Sequence, residues 1–284
     1  MFLKPDLPFQ NFAELEPDYG TFTHSIFFVM TNEIIILCLA AFAAGFIDAI
    51  VGGGGLIQTP ATLITLPQYS VATLLGTTKI PSFTGTSIAA YQYAKRIQLK
   101  WKLLAIMCGI AVIAAWSGSY CVSLVSNRFM KPFIFGMLIL VAIYTYSKKN
   151  FGTADARLID TKKEIIYGAL FAVVIGFYDG FIGPGAGSFL VVFFISILGY
   201  DFLKASAHAK FVNLATNTGS ILFFAKSGHI LYQFALPMAA CNLVGSFFGA
   251  RLAMLKGNGF IRIFFLIVVI GTIIRFGYDI FIKK

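Results

Sequence analysis

Charge is scarce in this chain. Only 12% of its 284 residues are Asp, Glu, Lys or Arg, against about 25% in an ordinary soluble domain, which excludes a conventional water-soluble fold. Acids are the scarcer sign, with 12 Asp and Glu against 22 Lys and Arg. The four cysteines, Cys38, Cys108, Cys121 and Cys241, sit singly in apolar runs. None has C-x-x-C spacing, so no metal site is expected and they read as small buried hydrophobes. The chain has no H-E-x-x-H, G-x-S-x-G or G-x-x-x-x-G-K-[ST]. It therefore offers no familiar hydrolase or ATPase machinery, and no enzyme activity or cofactor is expected. Residues 1–30 lack the basic start and apolar core of a signal peptide, carrying Asp6, Glu14, Glu16 and Asp18 instead. They read as a polar lead over 1–20, with 22–30 lying at an interface or extending the first helix.

What is present is apolar length. Hydrophobic residues make up 58% of the chain, in repeated runs long enough for the roughly 20 residues that a bilayer span needs. The formal charge of +10 falls mainly between these runs, at Lys95, Arg96, Lys100 and Lys102, at Lys148, Lys149, Arg157, Lys162 and Lys163, and at Lys283 and Lys284. That is the pattern of positive-inside loops. The expected surroundings are a lipid bilayer, and nucleic acid is excluded as a partner because no soluble domain exists to carry it.

One pattern occurs twice. G-F-x-D-x-x-x-G-x-G runs from Gly45 to Gly54 and again from Gly176 to Gly185, so Asp48 and Asp179 lie 131 positions apart. The same offset pairs Glu33 with Glu164, Tyr69 with Tyr200, Lys79 with Lys210, Gly118 with Gly249 and Asn127 with Asn258. Unrelated apolar stretches would not hold register over such a distance, so the chain reads as a gapless internal duplication. The division is a lead (1–30), a first transmembrane repeat (31–147), a basic linker (148–161) and a second transmembrane repeat (162–284). The expected fold is an all-α integral membrane protein of two homologous halves.

Each half contains five apolar segments, near 31–51, 55–66, 70–94, 101–125 and 129–147, then 162–182, 186–199, 202–226, 232–255 and 259–281. The second of each five spans only about 20 Å as a helix, too short to cross, and is expected to be re-entrant or half of a broken helix. Eight spans with parallel halves, or ten with inverted halves, satisfy the charge rule equally, with the linker cytoplasmic in both.

The candidate site lies around the duplicated loops. Gly52 and Gly54, like Gly183 and Gly185, end one segment and begin another. Their uncovered amides at a helix start suit an anion; a tight turn at the membrane surface is the plainer alternative. For Asp48 and Asp179 two roles stay open, structural support of the loop by accepting its N–H groups or proton coupling. The third segments are the most polar. Lys79, Ser82 and Thr86 share one helix face, and Lys210, Asn213 and Asn217 repeat the spacing. Two lysines with hydroxyls and amides make a surround for an oxyanion, unless the lysines snorkel to an interface. Gly245-Ser246-Phe247-Phe248-Gly249 is a G-x-x-x-G suited to helix packing.

These residues carry a resemblance. The paired glycine–aspartate stretches, Gly-Thr-Thr-Lys at 76–79 and Ala-x-Ala-Lys-Phe-x-Asn at 207–213 resemble the TauE/SafE sulfite exporter family, also called the toluene-sulfonate uptake permease family, over residues 31–281. The resemblance implies a secondary transporter of a small anion, a sulfur oxyanion or organosulfonate, in a cell membrane (the bacterial inner membrane). A membrane-embedded accessory subunit or enzyme without transport activity is the alternative. Homo-oligomerisation is left open.

Overall fold

Eight helices account for the regular structure among the described residues. The computed structural model describes residues 19–126, 128, 133, 136 and 160–281, with backbone only for 19–31 and 258–281. The helices are α1 (Tyr19–Val51), α2 (Gly55–Thr65), α3 (Val71–Ala94), α4 (Trp101–Leu124), α5 (Thr161–Phe181), α6 (Ala186–Ser196), α7 (Phe202–Lys226) and α8 (Tyr232–Phe281). No strand occurs among the described residues. α1 begins earlier than the first expected segment and takes in residues 19–30. α8 is broken at Gly257, whose φ of 71° and ψ of −166° no helix accommodates. Most of the expected segment at 129–147, the lead over 1–18 and most of the linker lie outside the described residues.

Among the described residues, four stretches are long and apolar enough to cross a membrane, Asn32–Val51, Trp101–Leu124, Thr161–Phe181 and Tyr232–Gly257, with mean hydropathy from 1.4 to 2.6. Their outer faces carry exposed Leu39, Ile113, Leu124, Leu170 and Val174. An apolar surface of that extent suits lipid rather than water. The protein is a multi-pass membrane protein.

Local chemistry explains the element boundaries. Ser70 caps α3 by accepting from the Thr73 amide at 3.2 Å, and Asp201 caps α7 by accepting from the Lys204 amide at 2.9 Å. Gly52 (φ 80°) and Gly183 (φ 90°) turn the chain between α1 and α2 and between α5 and α6. A side chain there would be strained in that left-handed conformation. The short helices α2 and α6 have 11 residues each, about 16 Å of rise.

Packing registers give each helix a direction. Going along α1 and α8 together, Phe42 meets Gly245 and Phe46 meets Gly249, so the two run parallel. α3 follows α8, with Thr77 at Leu231, Thr84 at Ala239 and Gln92 at Phe247. α4 runs with α5, bringing Met107 to Gly168, Ala111 to Gly176 and Ser119 to Gly180. It also runs with α7, bringing Lys100 to His208 and Val112 to Gly219. α7 opposes α1 and α3, since Ser206 reaches Ile50, Lys210 reaches Asp48, and Phe224 lies at Gly76. Thus α1, α3 and α8 point one way, and α4, α5 and α7 the other.

Close approach needs small residues. A β-carbon on Gly245 or Gly249 would meet α1 carbonyl oxygens at 2.1 and 2.3 Å, and one on Gly118 would meet the Phe177 oxygen at 2.2 Å. The G-x-x-x-G is a contact of α8 with α1, where backbones touch and dispersion replaces the hydrophobic effect that lipid does not supply.

Candidate functional site

The two glycine loops meet inside the bundle. Gly52 touches Gly187, and Gly55 lies against Pro184. Around them is a cavity of about 40 Å³ lined by Asp48, Gly52, Gly54, Gly55, Gln58, Thr59, Leu75, Thr78, Lys79, Ser82, Asp179, Ile182, Gly183, Gly185, Ala186, Gly187, Asn213, Asn217 and Asn242. By that measure one water needs about 10–15 Å³, so the space suits a few waters or a small ion. The N-termini of α2 and α6 open onto it, at Gly54 and Gly185, and neither has a side-chain cap. Their positive dipole ends face the cavity.

Ten of the twelve sequence-predicted residues line this cavity: Asp48, Gly52, Gly54, Lys79, Ser82, Asp179, Gly183, Gly185, Asn213 and Asn217. The other two, Lys210 and Thr86, stand behind Asp48. Lys210 Nζ donates to Asp48 Oδ2 at 2.8 Å and also to the Asp48 carbonyl oxygen, while the Thr86 hydroxyl donates to Oδ2 at 3.5 Å. The Gly54 amide donates to Asp48 Oδ1 at 3.4 Å.

The lysines do not stand as free cations. Lys79 on α3 donates to Asp179 Oδ1 on α5 at 3.0 Å and to the Asp179 carbonyl at 2.6 Å. Lys210 on α7 does the same for Asp48 on α1. The pairs are crossed, each lysine reaching the aspartate of the other half of the sequence. Lys79 is 5% and Lys210 1% exposed, so neither snorkels outward. Such a buried charge is tolerable in a membrane because its partner and hydrogen bonds replace water.

The crossed pairs are not equal. Asp48 draws on donors from three residues, Lys210, Gly54 and Thr86. Asp179 holds Lys79 alone on its carboxylate, and its Oδ2 is buried with no hydrogen-bond partner among the described residues. Asn217, which stands at the offset position of Thr86, donates its amide to the Asn213 carbonyl at 2.8 Å instead.

Sequence reasoning missed an amide pair. Asn242 Nδ2 donates to Gln58 Oε1 at 3.1 Å, and Gln58 Nε2 donates to the Thr78 carbonyl at 3.3 Å. Both side chains are buried and line the cavity. The signal was available, since an amide inside an apolar run is costly without a partner. The offset hides them, because the positions 131 away are Phe189 and Ala111.

A second polar cluster closes one end of the bundle. Lys100 Nζ lies 2.8 Å from both oxygens of the buried Glu164, and the Tyr200 hydroxyl donates to Glu164 Oε1. Burial, then the Glu164 contact, push the Tyr200 hydroxyl above its usual range, so it remains a donor. The Lys100 amide donates to His208 Nε2 at 3.1 Å, leaving Nδ1 to donate to the Lys204 carbonyl. At the opposite end the Leu231 amide donates to Thr77 Oγ1 at 3.0 Å. Position 231 is the offset partner of 100, and leucine there supplies no charge.

A lipid-exposed helical bundle with charged, glycine-walled space where broken helices meet defines a class, the membrane transporters. The family model described as Sulfite exporter TauE/SafE matches residues 37–276, and the chain belongs to that family. Its relatives carry transporter names. The probable membrane transporter protein ORF9 of Sinorhizobium sp is 35% identical over 243 residues, 85% of this chain and 91% of that protein. The probable membrane transporter protein YfcA of Escherichia coli K12 is 30% identical over 260 residues, 90% and 94% of the two chains. A probable membrane transporter protein of Haemophilus influenzae is 30% identical over 246 residues, 87% and 95%. No solved structure matches.

Proposed function

We propose that this protein is a secondary transporter of a small oxyanion, sulfite or a short sulfonate, with the cavity between the glycine loops as its binding site. The observation that carries the reading is the pair of crossed lysine–aspartate bridges beside two uncapped helix N-termini. Amide groups and helix dipoles attract an anion, and the adjacent bridges hold cationic groups within reach. The family description supports a sulfur oxyanion. A cavity of about 40 Å³ favours an ion of sulfite size over an aromatic sulfonate.

The two halves act as an inverted pair. Counterpart helices α1 and α5, α3 and α7, and α4 and α8 run in opposite directions, which supports inverted halves in which each short helix doubles back, since α1 and α3, like α5 and α7, point the same way. Rocking of one half against the other would open the cavity to each side in turn. Bacterial relatives and helical spans support the inner membrane, since outer-membrane spans are β-barrels.

The test is uptake and efflux of labelled sulfite, sulfate and methanesulfonate by proteoliposomes holding the full chain. Saturable sulfite or methanesulfonate flux is expected. Flux equal to empty vesicles for all three ions would remove the anion-transport reading.

A further inference from the structure

We infer that Asp179 is a proton-binding site coupled to the anion, resting on the transport reading above. Protonation of Asp179 would release the charge of Lys79 for the anion, so that one proton and one negative charge enter the cavity together.

The argument begins with unequal carboxylates. Asp48 is saturated, with Lys210 and Thr86 on Oδ2 and Gly54 on Oδ1. Adding a proton there displaces existing donors. Asp179 has Lys79 on Oδ1 and an Oδ2 that is buried and unpartnered. A buried carboxylate oxygen without a donor is costly. A proton on Oδ2 removes the formal charge of a residue that lines the cavity.

Other groups around Asp179 do not replace this role. α3 presents Lys79. On its own helix Tyr178 is committed, donating its hydroxyl to the Pro184 carbonyl at 2.7 Å. Across the cavity, Asp48 from α1 and Lys210 from α7 are bound to each other. α2 and α6 carry no titratable side chain, and neither does the packed stretch of α4, 111–119, where Ser119 donates to the Gly180 carbonyl and Ser117 to the Ile113 carbonyl.

Charge balance then sets the coupling. With both bridges intact the site is neutral, and a monovalent anion entering so small a space would be uncompensated. With Asp179 protonated, Asp48 and Lys210 still cancel, Lys79 is a net cation, and the anion restores neutrality. The proton enters on Asp179 Oδ2 and no bond other than that O–H forms. The divergence of the two halves at this point is itself visible. Thr86 serves Asp48, whereas Asn217 at the offset position turns to its own helix and leaves Asp179 Oδ2 bare.

The experiment is calorimetry on the purified full chain in detergent, titrated with methanesulfonate and sulfate, which do not titrate near neutral pH. Repeating it in buffers of different ionisation enthalpy counts the protons taken up. About one proton per methanesulfonate is expected, with apparent affinity falling about tenfold per pH unit where Asp179 is ionised in the free protein. Asp179→Asn should take up no proton and bind with an affinity flat in pH. Methanesulfonate binding by the wild type without proton uptake overturns the inference and leaves the transport reading standing, as does proton uptake surviving in Asp179→Asn. The wild-type proton count decides the matter even where a variant does not fold. If sulfate and methanesulfonate both fail to bind while sulfite is transported, the coupled site is overturned; if sulfite is not transported either, both readings fall.

Discussion

Gly52 and Gly187 touch backbone to backbone. A β-carbon on Gly52 would lie 2.4 Å from the Gly187 carbonyl carbon, and one on Gly187 would lie 2.4 Å from the Gly52 carbonyl oxygen. Neither atom belongs to a side chain that could swing aside. The contact ties the loop of one half to the first turn of the other half's short helix, so the cavity wall depends on two missing side chains.

Gly187→Ala is therefore expected to part the loops and lower anion flux at least tenfold. Gly109→Ala is the control, because a β-carbon there meets nothing within 4 Å. Initial rates in proteoliposomes with matched protein content check the pair. Equal rates for the two variants would remove the contact from the transport mechanism.

Lys79→Ala leaves the carboxylate of Asp179 buried without its cation. Breaking a buried pair in this way costs about 3–5 kcal/mol, so a marked fall in thermal midpoint is expected in detergent. The double variant Lys79→Ala with Asp179→Ala should regain most of that stability while transport stays lost. A single variant as stable as the wild type would contradict the burial argument.

The amide pair positions part of the cavity lining. Asn242→Ala removes the donor to Gln58 Oε1 and frees both Gln58 and the wall it supports. Loss of such a buried hydrogen bond is worth about 1–3 kcal/mol, so methanesulfonate affinity should fall about five- to hundredfold. Isothermal titration measures it, and an unchanged affinity would place the pair outside the binding site.

Glu164→Gln weakens the cluster that joins Lys100, Tyr200 and His208. Hydrogen–deuterium exchange should rise over 97–104 and 200–208 and stay constant over 229–236, where Leu231 is held by Thr77 without any ion pair. Lys100 is partly exposed, its side chain at 43%, so solvent screening keeps its own contribution small. A uniform rise in both regions would mean general destabilisation instead of release of one end.

Much of the site was legible because its parts are local. The loop glycines and the i, i+3, i+7 polar faces are properties of neighbouring residues, and they pointed to ten residues that line the cavity. The lysines were legible as buried polar residues near mid-helix, but not as paired ones. Gln58 and Asn242 are hidden because neither is duplicated at the 131-residue offset, where Phe189 and Ala111 stand.

The sequence by itself determined an apolar, helical, membrane-embedded chain, a recurring glycine–aspartate motif, and the short helices that follow it. Composition and local backbone chemistry suffice for those. Tertiary structure alone decided which lysine meets which aspartate, since the partners stand 100 and 162 residues apart. It also decided which helices run together, because side-chain packing registers between distant segments fix their relative directions. The bare oxygen of Asp179 belongs to the same level. Two identical motifs have different chemistry only through what folds against them.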